Sequence, residues 1–113
     1  LESELQSYIN NDLRKLGWGF WHREKGAYHK QRTHNSFKHN NKKCTWADLL
    51  VFPGWGYAFF VEVKTKTGEK SQEQINFFEW AKSMKYHQYC VNSIESWELV
   101  KRIELEQIAG LKK

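Results

Sequence analysis

Cysteine is scarce, long apolar runs are missing, and acids are almost absent from one long stretch. Two cysteines, Cys44 and Cys90, in 113 residues are too few for a disulfide framework. Two reduced thiols in a cytoplasmic protein is the expected state. No run approaches the ~20 apolar residues of a membrane-spanning helix. No charged-then-apolar leader opens the chain, which starts at Leu1 rather than Met, so a translational start upstream is expected. Neither internal repeats nor other low-complexity tracts occur. The acid-poor stretch is 22–43, HREKGAYHKQRTHNSFKHNNKK. It sets Arg23, Lys25, Lys30, Arg32, Lys38, Lys42 and Lys43 against Glu24 alone, and it holds four of the five histidines. The whole chain carries only +5, so the remainder is close to neutral. A basic block of this kind suits a polyanion, with a plain solvated loop as the alternative.

What the chain has in quantity is aromatic side chains: six Trp, seven Phe and five Tyr. Such a chain folds rather than staying disordered, and its length suits one domain, 1–113, with one modest core. Leu5, Ile9, Leu13 and Leu16 recur at helical spacing and Gly17 stops that helix. Residues 18–22, 46–52 and 57–64 read as strands, the last two joined as a hairpin through Pro53-Gly54-Trp55-Gly56. Ser71 caps a helix over 72–85, with Ile75, Phe78 and Met84 near one face and Phe77 and Trp80 beside it. Residues 87–92 read as a strand. Residues 94–109 read as a last helix, carrying Leu99, Ile103 and Ile108. The basic block has no clear period and reads as a long loop, with room for a short ordered piece. The order α-β-β-β-α-β-α predicts an α/β (α+β) domain, a mixed central sheet flanked by helices.

The third strand carries a puzzle in Phe59-Phe60-Val61-Glu62-Val63-Lys64. Alternation puts Phe59, Val61 and Val63 on one face and Glu62, Lys64 and Lys66 on the other. A solvated polar face would explain an isolated E-x-K. Asp48 makes the pattern sharper. It enters the preceding apolar strand, where an acid is costly unless paired or bound to a cation, and the hairpin sets it beside Glu62. Two converging carboxylates repel. A hard divalent cation, Mg²⁺ or Mn²⁺, resolves that with oxygen ligands. It also supplies an activated water for phosphodiester hydrolysis, with Lys64 placed to orient that water or stabilise the phosphorus.

At these residues the chain resembles the PD-(D/E)XK nuclease superfamily. The pattern is Asp48 followed by Glu62-Val63-Lys64, a D-x13-E-x-K spacing, within the same α-β-β-β-α-β order. It is most similar to the VRR-NUC branch, whose stand-alone members are common in phages. An early helical acid, then VEVKTKTGEKSQEQ with Ser71 and Gln74, then an aromatic helix and a strand, carry that likeness over residues 2–95. The resemblance implies a restriction-endonuclease-like core. It also implies metal binding by Asp48, Glu62 and the Val63 carbonyl, with Lys64 as catalytic lysine. Gln74 would support the site or the DNA. Glu2 would act on the metal directly or through water, with Glu4 as the fallback on the wrong helical phase. The proline usual before the acid is here Ala47. The basic insertion is a larger departure.

The expected function is therefore Mg²⁺-dependent hydrolysis of DNA, with Mn²⁺ as substitute and RNA still open. A domain this small points to structure-selective cutting at junctions, flaps or branches. Two further readings are a silent or subunit-type binding module of the same fold and a restriction-type enzyme that uses 22–43 for recognition. A homodimer is suggested by similarity to the archaeal junction resolvases. The expected location is the cytoplasm, or the host cytoplasm for a phage protein. Tyr28 and Phe37 are the candidates for stacking on bases, with Trp18 or Trp21 in the core. Lys66, with Thr65, Thr67 and Lys70, lies where flanking phosphates would run. His29, His34, His39 and Cys44 fit no zinc module, since those use tight pairs.

Overall fold

The computed structural model describes residues 2–23, 36–64 and 69–112. The element order is α1 (Glu2–Leu16), β1 (Gly19–His22), β2 (Ser36–His39), β3 (Lys42–Thr45), β4 (Leu49–Gly54), β5 (Tyr57–Val63), α2 (Gln72–Ser83), β6 (His87–Val91) and α3 (Ile94–Leu111). Four strands form a mixed sheet in the order β1-β4-β5-β6. The β1–β4 and β4–β5 pairs are antiparallel, and β5–β6 is parallel with α2 as the crossover. No helix among the described residues is long and apolar enough to cross a membrane.

Local chemistry places each element. Glu2 and Glu4 open α1, and Arg14 and Lys15 close it, each complementing the helix dipole. Gly17 at φ 74° ends it, and the Trp18 amide returns to the Leu13 carbonyl. Trp55 and Gly56, both at positive φ, make the tight β4–β5 turn. Pro53 has no amide to give and sits where the register shifts between Val51 and Gly54. Ser71 and Gln74 form a capping box at the start of α2.

The sheet separates two apolar layers. Leu5, Ile9 and Leu13 of α1 and Trp97, Val100 and Ile108 of α3 pack with Leu49, Val51, Phe59, Val61 and Val63. Asp12 ties those helices together, accepting from Trp97 Nε1 and Lys101 Nζ at 2.8 Å each. On the other side Phe60 meets Phe77 and Ala81 of α2, with Cys44 and Ala47, and Phe37, Trp46 and Trp80 at the margin. The ring centroids of Phe60 and Phe77 lie 4.9 Å apart, edge to face.

Several expectations change. Trp46, Ala47 and Asp48 precede the strand rather than lying in it, and Pro53 and Gly54 belong to it. The basic stretch is not all loop: 36–45 is a hairpin turning on Asn40 and Asn41, at φ 51° and 64°. The buried stripe of α2 is Gln74, Phe77 and Ala81; Ile75 and Met84 are exposed. In α3 it is Trp97, Val100, Glu104 and Ile108; Leu99 and Ile103 are exposed. Both faces of β5 are covered, so the face carrying Glu62 is not open to solvent. Both cysteines are free thiols, Cys44 buried and Cys90 exposed.

Candidate functional site

Leu49 pairs with Val61 and Leu50 with Phe60, so continuing the register brings Asp48 opposite Glu62. Alternation turns both toward the α2 side, the side of Leu50 and Phe60. Asp48 is 0% exposed and Glu62 1%. Asp48 Oδ2 accepts from the Val63 amide at 2.8 Å, and Oδ1 accepts from Arg23 Nη2 at 3.1 Å. Gln74 Nε2 donates to Glu62 Oε2 at 3.0 Å. Glu62 Oε1 is buried with no hydrogen-bond partner among the described residues. Burial first, then the charge of Asp48, push the Glu62 carboxyl up to about 8. Arg23 and Lys64 oppose that rise. Lys64 is half-buried at the end of β5, its amide bonded to the Val91 carbonyl at 2.9 Å.

A second buried acid shows how unusual the unpartnered oxygen is. Glu104 is also 0% exposed, but it is fully partnered. Its Oε1 accepts from the Tyr57 hydroxyl at 2.6 Å. Its Oε2 accepts from the Tyr89 hydroxyl at 2.8 Å and meets His87 Nδ1 at 2.9 Å. The fold satisfies one buried glutamate and leaves the other wanting a cation or a proton.

Asp48, Glu62 and Gln74 thus lie together, and Lys64 follows Glu62 on the same strand, near enough for its charge to act on that carboxyl. Glu2 is partly buried in the first turn of α1. It does not complete a three-ligand cluster, for the described residues contain no group of three or more His, Cys, Asp or Glu able to hold a metal. The protein offers two carboxylates. The Val63 carbonyl and water would complete an oxygen shell, which is the habit of Mg²⁺. The orphaned Glu62 oxygen and the all-oxygen donor set fit that ion.

Arg23, expected on a nucleic-acid surface, instead reaches inward to Asp48 with 12% of its side chain exposed. Its own amide bonds to the Asp48 carbonyl at 2.8 Å. Phe37, expected to stack on bases, lies partly buried against Trp46 and Trp80, at ring distances of 4.6 and 5.0 Å. Trp18 is core and Trp21 exposed. Lys38, Lys42 and Lys43 are exposed on the hairpin. That hairpin is fixed beside the start of α2 by Asn76 Nδ2 to the Lys43 carbonyl and Thr45 Oγ1 to Glu73, at 3.0 and 2.9 Å. Lys25, Tyr28, Lys30, Arg32 and Lys66, with His29, His34, Thr65 and Thr67, lie outside the described residues. Sequence reasoning alone missed Arg23 as a partner of the acid pair and Glu104 as a buried acid.

No family model, curated protein or solved structure matched the chain.

Proposed function

We propose that this domain is a divalent-metal-dependent nuclease of the PD-(D/E)XK type that hydrolyses DNA phosphodiester bonds, with junctions, flaps or branches as the preferred substrates. One observation carries the reading: two fully buried carboxylates, one just before β4 and one in β5, face each other, and among the described residues one of their oxygens has no partner. A purely structural role is a poor account of that arrangement, because Arg23 answers Asp48 alone and a buried glutamate oxygen left without a partner among the described residues destabilises a core. The mixed sheet with its β5–α2–β6 crossover supports a restriction-endonuclease-like core.

Asp48, Glu62 and the Val63 carbonyl would hold Mg²⁺, or Mn²⁺ in its place. When bound, the ion supplies a nucleophilic water at neutral pH and neutralises charge developing on the phosphate. Gln74 holds Glu62 in register by donating to Oε2, and its own side chain is held by the Ser71 amide. Lys64, whose charge already acts on Glu62, would balance negative charge on the reacting group. The exposed lysines of the 36–45 hairpin sit beside α2 and would receive the DNA backbone.

The test is a cleavage panel of linear duplex, single strand, flap and four-way junction, each with Mg²⁺, Mn²⁺ or EDTA, run beside Lys64→Ala. Metal-dependent cutting that disappears in the variant is the expected result. Binding without cutting in any metal favours a silent or subunit-type module, and cutting that survives the substitution refutes the assignment.

A further inference from the structure

We propose that Arg23 is the built-in counter-ion of the carboxylate pair and competes with the divalent ion, so that the ion must displace its guanidinium from Asp48 to load the site. The inference deepens the metal-dependent reading above and rests on it.

The geometry is that of a cation held in reserve. Arg23 follows β1, and its backbone amide is anchored to the Asp48 carbonyl, so the residue cannot drift from the site. Its Nη2 meets Asp48 Oδ1 at 3.1 Å. Its Nε, by contrast, is buried with no partner among the described residues. A guanidinium built as a permanent structural tie uses its fork, two parallel bonds to one carboxylate. Here one arm engages while Nε bonds to none of the described residues, which makes release easier. The other orphaned atom is Glu62 Oε1, in the same buried site. An incoming cation would relieve both: Oε1 gains a ligand partner, and the guanidinium is freed to find an acceptor.

Charge requires the exchange. Arginine cannot shed its proton at any pH a protein survives. A divalent ion on Asp48 would therefore sit against a full positive charge in a water-poor site, where screening is weak. The two cations cannot both hold Asp48 Oδ1 comfortably, and the one on a flexible side chain moves. Until then the guanidinium spares the core two uncompensated acids. A site in which the competent, Arg-released state is about one-tenth populated binds its ion about tenfold more weakly than the same site without the competitor.

The test is Mn²⁺ titration by calorimetry on the full chain, with Arg23→Gln and Asp48→Asn beside wild type, and thermal unfolding of each in EDTA. Arg23→Gln should bind Mn²⁺ on the order of tenfold tighter, unfold at a lower temperature in EDTA, and gain a larger rise in midpoint when Mn²⁺ is added. Asp48→Asn should abolish binding. Equal or weaker Mn²⁺ affinity in Arg23→Gln, with wild type binding normally, overturns the competition and leaves the metal site standing. No binding by any of the three overturns both readings. Should Arg23→Gln fail to fold, the Arg23 Nε–H resonance of the wild-type protein decides. It should shift as Mg²⁺ saturates the site, and a resonance unmoved at saturation overturns the proposal.

Discussion

Gln74 donates from Nε2 to Glu62 Oε2 at 3.0 Å, while its Oε1 accepts from the Ser71 amide at 2.9 Å. One side chain therefore caps a helix and orients a buried acid. The capping box would serve α2 with either glutamate or glutamine at this position. Glutamate could not donate to Glu62, and a third carboxylate in the site would add repulsion. Gln74→Glu should lower stability by about 1–3 kcal/mol, measured by urea unfolding at pH 8, because it leaves two acids facing without a donor. Gln74→Ala should cost about 1–2 kcal/mol through removal of the cap and the hydrogen bond. A Gln74→Glu protein as stable as wild type would remove Gln74 from the site.

The metal-free protein should lose stability as pH rises from about 4.5 to about 8. Glu62 titrates near 4.5 when exposed and near 8 when folded, so the folded state holds the extra proton throughout that window. Stability falls wherever the folded state binds more protons than the unfolded one. The loss is on the order of a few kcal/mol and levels off above pH 8. Urea titrations in EDTA at pH 5.5 and 8 measure it. Glu62→Gln should flatten the profile and raise stability at pH 8. Saturating Mg²⁺ should restore much of the loss in the wild type, because the ion substitutes for the proton. A flat wild-type profile would show that Glu62 ionises freely.

The strand that carries Glu62 and leads into Lys64 was legible because period-two alternation is local. Phe59, Val61 and Val63 do share a core face, and Asp48 does meet Glu62 across a hairpin. What covers the opposite face was not legible. Phe60 and Glu62 lie under α2, and which stripe of α2 turns inward depends on Phe60 receiving Phe77. Counting apolar positions selects Ile75 and Met84, which stay exposed. In α3 the same method fails at Glu104. A buried glutamate reads as a surface residue until Tyr57, Tyr89 and His87 are seen to converge on it from two other strands. Arg23 hides for a similar reason, since its partner is 25 residues away and its neighbours form a basic run. The 36–45 hairpin did leave a signal. Asn40-Asn41 tolerate the left-handed turn, and Phe37 alternates with Lys38 as Cys44 does with Lys43.

Lys38 and Lys43 are register partners across that hairpin, both exposed. Like charges directly opposite are unfavourable by ~0.2–1 kcal/mol. The neighbouring Glu73, 3.6 Å from the Lys43 ammonium, offsets little because the pair is exposed. A polyanion laid along the hairpin would make the arrangement favourable. Replacing both lysines with serine should leave the fold as stable or slightly more so. In a DNA-binding titration against salt it should reduce the slope by about 0.9 for each phosphate the lysines had neutralised. An unchanged slope would take the hairpin off the DNA path.

Glu62 and Glu104 are equally buried glutamates in opposite circumstances, and the same substitution should separate them. Burial first, then the hydrogen bond to Glu104, raise the pKa of both Tyr57 and Tyr89, so both hydroxyls remain donors at any working pH. Each donates to a different oxygen of Glu104. An amide in place of that carboxylate has only one accepting oxygen, so Glu104→Gln takes the charged acceptor from two part-buried hydroxyls and should cost about 1–3 kcal/mol. Cleavage by the folded fraction should not change, because nothing in that cluster touches Asp48, Glu62 or Lys64. Glu62→Gln should do the reverse. It relieves a crowded acid pair and should hold or raise stability at pH 8. On the proposed reading it would also remove a metal ligand and should lower kcat/KM by about 10²-fold or more, as removing one electrostatic stabiliser of a transition state typically does. Paired urea unfolding and single-turnover cleavage on the two variants check this. Cleavage abolished in a well-folded Glu104→Gln protein, or retained in Glu62→Gln, would mean that the working acid has been assigned to the wrong end of the sheet.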